Sequence, residues 1–289
     1  MFFIESGDLV SPEDYNYITN FLMETTGLSL GENKEYLLEA RLVPLAQVHG
    51  MNGIQDLVLS LKSKMDRSLE REIMEAMTTN ESSFFRDRRP FDELKANILP
   101  EIINERKMTR KLRIWCSACS HGQEPYSIMM LLRENYPELN DWNIQIISTD
   151  LCKKALERAR EGVYSQFEVQ RGLPVHLLMK YFEQCEQGWK IKPDLGAGIQ
   201  WKHLNLLEDF RHLGMFDIVF CRNVLIYFKP ELKKDILNRI SSQLNSSGTL
   251  LLGAAETVLG ISDKYAKQAG CQSAIYQLAS NSVADPIAR

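Results

Sequence analysis

The stretch Leu112-Arg-Ile-Trp-Cys-Ser-Ala-Cys-Ser-His-Gly-Gln-Glu-Pro-Tyr-Ser-Ile128 decides the fold. Leu112–Ser117 is short, apolar and followed by turn formers, which predicts a buried strand. Small or flexible residues then form a turn, and Pro125 suits the first helical position, where its missing N–H loses no partner. A strand, a small-residue turn and a helix start favour a nucleotide-binding corner of an open α/β sheet. An ordinary βα turn is the alternative, because one glycine is a weak fingerprint.

Strand and helix patterns alternate on the C-terminal side of this corner. That alternation predicts an α/β fold with a doubly wound, mostly parallel sheet. Trp189–Lys192 and Ile199–Trp201 interrupt the pattern and predict an antiparallel ribbon, a small β insertion at about 181–204. The predicted strands lie at Asn143–Asp150, within Phe216–Phe228 and at Thr249–Gly253, and the predicted helices lie at Lys153–Arg160 and Lys229–Leu244.

Residues 1–78 carry helical patterns and no strand pattern, which predicts a small all-α domain before the α/β domain at 79–279. Ser11 is a capping residue followed by Pro and two acids, and the helix that it begins should end near Gly27. A second helix is expected at about Lys34–His49. Residues 280–289 are expected to form a disordered tail.

Composition is that of an ordinary globular protein, with 44% hydrophobic and 25% charged residues. No apolar run approaches a membrane span and no signal peptide is evident, so a cytoplasmic monomer without membrane insertion is the default expectation.

The net charge of −4 gives no reason to expect a nucleic-acid partner. Residues 1–80 hold 6 Lys and Arg against 13 Asp and Glu, or −7, and residues 81–289 hold 28 against 25, or +3.

Six cysteines include Cys116 and Cys119, whose spacing could indicate redox or zinc chemistry. No second pair and no paired histidines follow at ligand spacing, and Cys116 lies inside the apolar strand. Buried packing is therefore the favoured interpretation, and no metal is expected.

Acids and an arginine at the strand ends predict the chemistry of the corner. Asp150 ends the second strand of the α/β unit, where an acid can accept hydrogen bonds from both ribose hydroxyls of an adenosyl group. Glu124 at the helix start is either a cap or the partner of a cationic ligand, and with no GxGxxG motif it favours S-adenosylmethionine over NAD. Arg222 and Tyr227 follow another strand and could orient a carboxylate, although Arg222 could instead pair with a structural acid.

Five parts of the sequence form a distinctive set of motifs: Asn80-Glu-Ser-Ser-Phe-Phe-Arg86, Trp115-Cys-Ser-Ala-Cys-Ser-His-Gly-Gln-Glu-Pro-Tyr-Ser127, Asp150, Asn205-Leu-Leu207 and Cys221-Arg-Asn-Val-Leu-Ile-Tyr-Phe228. Together they resemble the CheR family of chemotaxis-receptor, or protein-glutamate, O-methyltransferases. The resemblance spans roughly residues 10–278 and implies a Rossmann-like S-adenosylmethionine-dependent methyltransferase domain with a β insertion, preceded by a helical substrate-docking domain. It implies that glutamate side chains on the cytoplasmic helices of chemoreceptors become methyl esters, with S-adenosylhomocysteine as the product of the cofactor.

The resemblance also implies the residues of the site. Arg86, Arg222 and Tyr227 would face the substrate carboxylate as the catalytic residues. The cofactor would be bound by Asn80, Ser82, Arg86, Glu124, Asp150, Asn205, Leu206, Cys221, Arg222 and Asn223.

Three features depart from the family pattern. Ser82 stands where Thr is usual, and His121-Gly-Gln123 replaces the common Thr-Gly-Glu. The helix around Arg41, usually rich in Arg for docking on acidic receptor helices, keeps one Arg and contains Pro44. These departures leave the expected cofactor site intact and put the protein substrate in question. A cofactor-binding signalling module with weak or no transfer, and a small-molecule carboxyl methyltransferase, are the alternatives.

Overall fold

A computed structural model of the chain describes residues 10–31, 33–63 and 66–279, so the predicted tail at 280–289 lies outside the described residues. Helices come first, and strands begin only after residue 110. Among the described residues, no helix is both long and apolar enough to span a membrane. The first four helices are α1 (Pro12–Thr26), α2 (Glu35–Val48), α3 (Ile54–Ser63) and α4 (Arg67–Met77).

The sequence signals at both ends of α1 are confirmed. The Ser11 side chain accepts a hydrogen bond from the Asp14 backbone N–H, and Gly27 ends the helix in the left-handed conformation at φ 76°. Helix α2 buries Leu38, Leu42 and Ala46, which stand four residues apart on one face. Helices α1–α4 thereby share an apolar cluster of their own, drawn from residues 18–77.

Arg41 of α2 satisfies the C-terminal end of α4. Its Nη1 donates to the carbonyls of Met77 (2.7 Å) and Thr78 (3.0 Å), and its Nη2 donates to the Thr79 hydroxyl (2.9 Å). The last carbonyls of a helix have no partner within it, so a guanidinium at this end supplies donors and complements the helix dipole. The arginine therefore fixes the start of the segment that leads into the α/β part.

A seven-stranded sheet forms the centre of the α/β part. Its strands are β1 (Lys111–Cys116), β2 (Asn143–Asp150), β6 (Ile199–His203), β7 (Phe216–Cys221), β8 (Leu244–Leu252), β9 (Tyr265–Lys267) and β10 (Ile275–Leu278). They are arranged in the order β6-β2-β1-β7-β8-β10-β9. The pairs from β6 to β8 are parallel, and β10 pairs antiparallel with both β8 and β9, so the predicted doubly wound, mostly parallel sheet is confirmed.

Two apolar clusters cover the two faces of the sheet, one containing Ile114 and Phe220 and the other containing Trp115 and Cys221. Neighbouring residues of β1 and β7 thus point to opposite faces, as the pleat of a strand requires. The covering helices are α5 (Arg89–Glu93), a π-helical segment (Leu94–Ile98), α6 (Leu99–Arg106), α7 (Gln123–Asn135), α8 (Lys153–Glu161) and α12 (Pro230–Ser241).

The small β insertion is confirmed, but its strands lie within residues 163–191 and not at about 181–204, and the predicted pairing within it is wrong. Ile199–His203 lies parallel to β2 at the edge of the main sheet, where the Trp201 ring packs 5.5 Å from the ring of Tyr126. Burial against α7 therefore favours the pairing of this strand with the main sheet, and a pattern of neighbouring residues does not contain that long-range contact. The small antiparallel sheet consists of β3 (Val163–Tyr164), β4 (Phe182–Cys185) and β5 (Gly188–Ile191), accompanied by the short helices α9 (Gln166–Gln170), α10 (Val175–Tyr181) and α11 (Pro193–Gly196).

We predict that Arg41→Ala lowers the free energy of unfolding by about 1.5 kcal/mol, because carbonyls at the end of α4 lose charge-assisted hydrogen bonds. Urea denaturation followed by circular dichroism measures the change. Arg67→Ala is the matched control, since Arg67 is exposed at the start of α4, and its effect should stay within about 0.5 kcal/mol. Equal effects of the two substitutions would contradict the structural role of Arg41.

Candidate active site

A cavity with an empty volume of about 880 Å³ opens at the carboxyl ends of β1, β2 and β7. The strand order reverses between β1 and β7, which is where open α/β sheets place their ligands. Of the eleven site residues expected from the sequence, only Cys221 does not line it; its side chain is wholly buried beneath the sheet end. The ten that line it are Asn80, Ser82, Arg86, Glu124, Asp150, Asn205, Leu206, Arg222, Asn223 and Tyr227.

The turn between β1 and α7 forms the floor of the cavity. Ser120 adopts a left-handed conformation (φ 52°) although it is not glycine, a strain of the kind found at functional sites. Gly122 (φ 89°) allows α7 to approach its neighbours, because a Cβ there would lie 2.9 Å from both Ala159 and Trp201. Helix α7 starts at Gln123, so Pro125 is its third residue and not its first as expected. The proline is still tolerated, since N–H groups of the first turn lack helical partners.

Asp150 lies at the end of β2 with 7% of its surface exposed. One carboxylate oxygen accepts from the Ser120 N–H (2.8 Å) and the other from the Cys152 N–H (2.9 Å). Burial raises the pKa of Asp150, while these hydrogen bonds oppose the rise. These two hydrogen bonds fix the carboxylate in place. Each oxygen retains a second lone pair, so the carboxylate can still accept a hydrogen bond from a ligand in the cavity.

Arg222 is the electrostatic centre of the site. Its side chain is 2% exposed and lies between two carboxylates, with Nη1 3.0 Å from Glu124 and Nη2 2.8 Å from Asp87. Nη2 also donates to the Arg86 carbonyl (3.0 Å), and the guanidinium lies over the Phe91 ring. These contacts match the structural-acid alternative for Arg222, while its buried Nε makes no hydrogen bond within the described part of the chain.

Glu124 faces the cavity from the first turn of α7. Burial raises the pKa of its carboxyl group, and the positive charge of Arg222 opposes that rise. Three carboxylates and two guanidinium groups line the cavity, which leaves one net negative charge. The lining therefore suits a ligand with net positive charge, such as a sulfonium, better than a phosphate.

The segment from Asn80 to Arg86 is held against the α/β part, as its aromatic residues predict. Phe84 is fully buried, with ring centroids 4.9 Å from Tyr164 and 5.6 Å from Phe182. The carbonyl of Asn80 accepts from the Ser120 hydroxyl at 2.7 Å. This polar segment therefore forms a wall of the cavity and is not a free linker.

The turn that follows, Phe85–Arg88, is strained. Phe85 (φ 49°), Asp87 (φ 67°) and Arg88 (φ 53°) are all left-handed, which costs about 1–3 kcal/mol per residue outside glycine. The N–H of Arg89 donates a hydrogen bond to the Asp87 carbonyl, so Arg88 is the central residue of a three-residue turn. Asp87 is held there by Arg222, and the Phe85 N–H by the Ser127 hydroxyl (2.9 Å).

The helical part contributes to the cavity through the end of α1 and the residues that follow it. Thr26 and Leu28 line its wall, beside Asn205. The Asn205 side-chain amide donates to the Thr25 carbonyl (2.7 Å), and the Ser29 N–H donates to the Tyr227 carbonyl (2.9 Å). Thr25 at the end of α1 and Ser29 just after it thus hold two of the expected site residues, Asn205 and Tyr227.

Sequence reasoning missed two acids that shape the site. Asp87 is one partner of Arg222, and its position directly after Arg86 in the motif was the available signal. Glu256 is buried and accepts from the backbone N–H groups of Asn223 (2.7 Å) and Gly253 (2.6 Å). Its signal was an acid just after β8 at the carboxyl edge of the sheet.

Cys116 and Cys119 are free and buried, and burial raises the pKa of both thiols, which keeps them protonated and weakly nucleophilic. In the part of the chain that the structure describes, no cluster of three or more His, Cys, Asp or Glu side chains could hold a metal ion.

Comparisons with known proteins cover both parts of the chain. A family model described as CheR methyltransferase, SAM binding domain, matches residues 80–275, and one described as CheR methyltransferase, all-alpha domain, matches residues 13–78. Chemotaxis protein methyltransferase Cher2 of Pseudomonas putida is 40% identical over 269 residues, covering 91% of this chain and 97% of the relative. Chemotaxis protein methyltransferase 1 of Pseudomonas aeruginosa is 41% identical over 257 residues, covering 87% and 93%. The chemotaxis protein methyltransferase of Vibrio parahaemolyticus is 38% identical over 260 residues, covering 89% and 93%.

We predict that Arg88→Gly raises the free energy of unfolding by about 1 kcal/mol, because glycine adopts a left-handed conformation without steric strain. Urea denaturation measures the gain. Arg89→Gly is the matched control: Arg89 begins α5 with an ordinary φ, so glycine there should destabilise by roughly 0.5–1 kcal/mol. Destabilisation by both substitutions would mean that the turn stores no strain at Arg88.

Proposed function

Because the chain belongs to the CheR methyltransferase family, we propose that it transfers methyl groups from S-adenosylmethionine to glutamate side chains of chemoreceptors, forming glutamyl methyl esters. The chain is an S-adenosylmethionine-dependent methyltransferase of chemotaxis. The proposed acceptor is the cytoplasmic helical region of a methyl-accepting protein, which places the enzyme in the cytoplasm. The observation that carries the proposal is the net negative cavity at the switch point, built from the residues that the family motifs supply.

Asp150 and Glu124 would hold the cofactor by different means. The fixed Asp150 carboxylate would accept from the ribose hydroxyls of the adenosyl group. Glu124 would face the positive charges of the cofactor, while the positive charge of Arg222 favours its ionised form against the effect of burial. When bound, the cofactor supplies an electrophilic methyl group on a positively charged sulfur. The remaining cofactor contacts are proposed for Asn80, Ser82, Arg86, Asn205, Leu206, Arg222 and Asn223.

The acceptor requires positioning and no general base. A glutamate side chain has a reference pKa of about 4.3 and is already ionised at neutral pH. Its oxygen forms a bond to the methyl carbon while the carbon–sulfur bond breaks and the electron pair stays on sulfur, so no proton is transferred. The protein must hold the carboxylate in line and partly remove its water.

Arg86 and Tyr227 are proposed to orient the acceptor carboxylate. Arg86 lines the cavity and donates to the Glu81 carbonyl (2.9 Å) without an ion pair among the described residues. The Tyr227 hydroxyl likewise makes no hydrogen bond in the described part of the chain and is available to a ligand. Arg222, already paired with Asp87 and Glu124, is proposed as a positioning residue that keeps Glu124 and the Arg86 backbone in place.

Cys221 is proposed to act behind the site by packing. Its side chain is fully buried in the cluster around Trp115, so any effect on the adenosyl group would come through the position of Arg222 and Asn223. Residues 1–78 are proposed as the substrate-docking domain, although Arg41 is committed to the end of α4.

We expect incubation with methyl-labelled S-adenosylmethionine and purified cytoplasmic fragments of chemoreceptors to yield base-labile methyl esters on glutamate. Mass spectrometry of the fragments identifies the modified positions. Cofactor binding by calorimetry without any ester on the fragments would refute the proposed activity and indicate a cofactor-binding signalling module instead.

We predict that two substitutions in the cavity affect different steps, one the binding of the cofactor and the other the rate of methyl transfer. Asp150→Ala should weaken cofactor binding at least tenfold, since it removes a buried acceptor for the ribose. Tyr227→Phe should leave the cofactor dissociation constant within about twofold and mainly lower the rate of transfer, since its hydroxyl serves the acceptor. Calorimetry and single-turnover kinetics separate the two. Unchanged binding in the Asp150 variant would overturn the cofactor assignment.

A further inference from the structure

A second depression, here called the lateral groove, lies on the other side of the strained Phe85–Arg88 turn. It has an empty volume of about 1130 Å³. Phe85 and Phe91 line it from one side, Met130 and Leu131 of α7 from below, and Leu177 of α10 from the far side. Its floor is therefore apolar, and three separate parts of the chain together form the groove.

The lateral groove and the cavity share the turn as a common wall. Arg86 lines the cavity, while its neighbours Phe85 and Arg88 line the lateral groove. Consecutive Cα atoms are about 3.8 Å apart, so the two openings are separated by little more than one layer of backbone. A helical turn rises about 5.4 Å, so a helix that crosses the shared wall and presents a side chain to the cavity would bring its next turn to the groove.

Unpaired positive charge stands on the rim of the groove. Arg88 and Lys95 are exposed, and neither makes an ion pair among the described residues. Of the two acids in the lining, Glu134 already accepts from Lys180 and Tyr181, each at 2.5 Å. Asp92 is then the one acid whose charge is not neutralised by a partner in the described ranges. The balance on the rim therefore favours an acidic ligand.

Both cations are presented by irregular backbone. Arg88 is the left-handed centre of its turn, and Lys95 lies in the π-helical segment Leu94–Ile98. Such irregularities are retained mainly where a function requires them. Gly172 (φ 91°) lets the opposite wall approach the turn, because a Cβ there would lie 2.2 Å from the Phe84 carbonyl oxygen. The shape of the groove thus depends on backbone conformations that are energetically unfavourable when considered by themselves.

We propose that the lateral groove binds the acidic helical turn of the acceptor that flanks the glutamate being methylated. This inference rests on the proposed function and assigns acceptor recognition to Arg88 and Lys95. On a helix, acids three or four positions from the methylated glutamate share its face and would meet these two cations. The apolar floor would cover the hydrophobic side of the same turn.

The test compares acceptor fragments with enzyme variants. Methylated glutamates in purified receptor cytoplasmic fragments are first mapped, and a second set of fragments carries Gln in place of the acids three and four positions away. Arg88→Ala, Lys95→Ala, the double variant and Arg88→Lys are assayed for KM, kcat and cofactor binding. Arg160→Ala is the control, because Arg160 is an exposed arginine on α8 that lines neither the cavity nor the lateral groove.

We expect each alanine substitution to raise the acceptor KM about threefold and the pair roughly tenfold, with cofactor affinity unchanged. Arg88→Lys should restore most of the loss, and high salt or the Gln-substituted fragments should abolish the difference from wild type. An unchanged KM with the unsubstituted fragments, in an enzyme that does form esters, overturns the inference and leaves the proposed function standing. A wild-type enzyme that forms no ester overturns both.

Discussion

The paired guanidinium of Arg222 is the interaction on which the site depends. A buried charge costs several kcal/mol unless it is neutralised and hydrogen-bonded. Glu124 and Asp87 meet that requirement from two directions, and the Arg86 carbonyl meets it from a third. The end of β7, the start of α7 and the strained turn are therefore mutually constrained, since displacement of any one would leave a charge exposed to an apolar interior. The geometry of the cavity follows from this constraint more than from the sheet alone.

The burial of two acids in the cavity, Glu124 and Asp150, makes the stability of the chain depend on pH. Burial raises the pKa values of Glu124 and Asp150, so each carboxyl holds its proton to a higher pH in the folded chain than in the unfolded one. Their contribution to stability accordingly falls as pH rises from their unfolded values through the raised ones. A bound cation favours the ionised forms and offsets that loss. On their own, these buried carboxyl groups thus stabilise the chain less than their packing would allow, in the manner of a site arranged in advance for positive charge.

Local patterns predicted the fold elements well, and long-range contacts account for what they missed. The bounds of β2 and the caps of α1 follow from hydrophobic periodicity and side-chain chemistry within a few residues. The place of Ile199–His203 in the main sheet depends on packing against α7, more than sixty residues earlier in the chain. Similarly, Arg222 was foreseen as a site residue, but its acids lie 98 and 135 positions away, and no spacing rule connects them. Ten of the expected residues line one cavity because sequence motifs preserve the position of each residue along the fold, while the contacts between distant residues can be seen only in the structure.

The distribution of charge bears on how an acidic acceptor would approach. Residues 1–80 carry a net −7 and residues 81–289 a net +3, so long-range attraction of an acidic helix acts toward the α/β part. Arg41 offers no direct contact to an acceptor from the helical part, because its donors are occupied at the end of α4. The helical part instead meets the site through Thr26 and Leu28 on the cavity wall. On the proposed function, its contribution to acceptor choice would be the shape of the surface beside the cavity, while the attraction would come from cations on the α/β side.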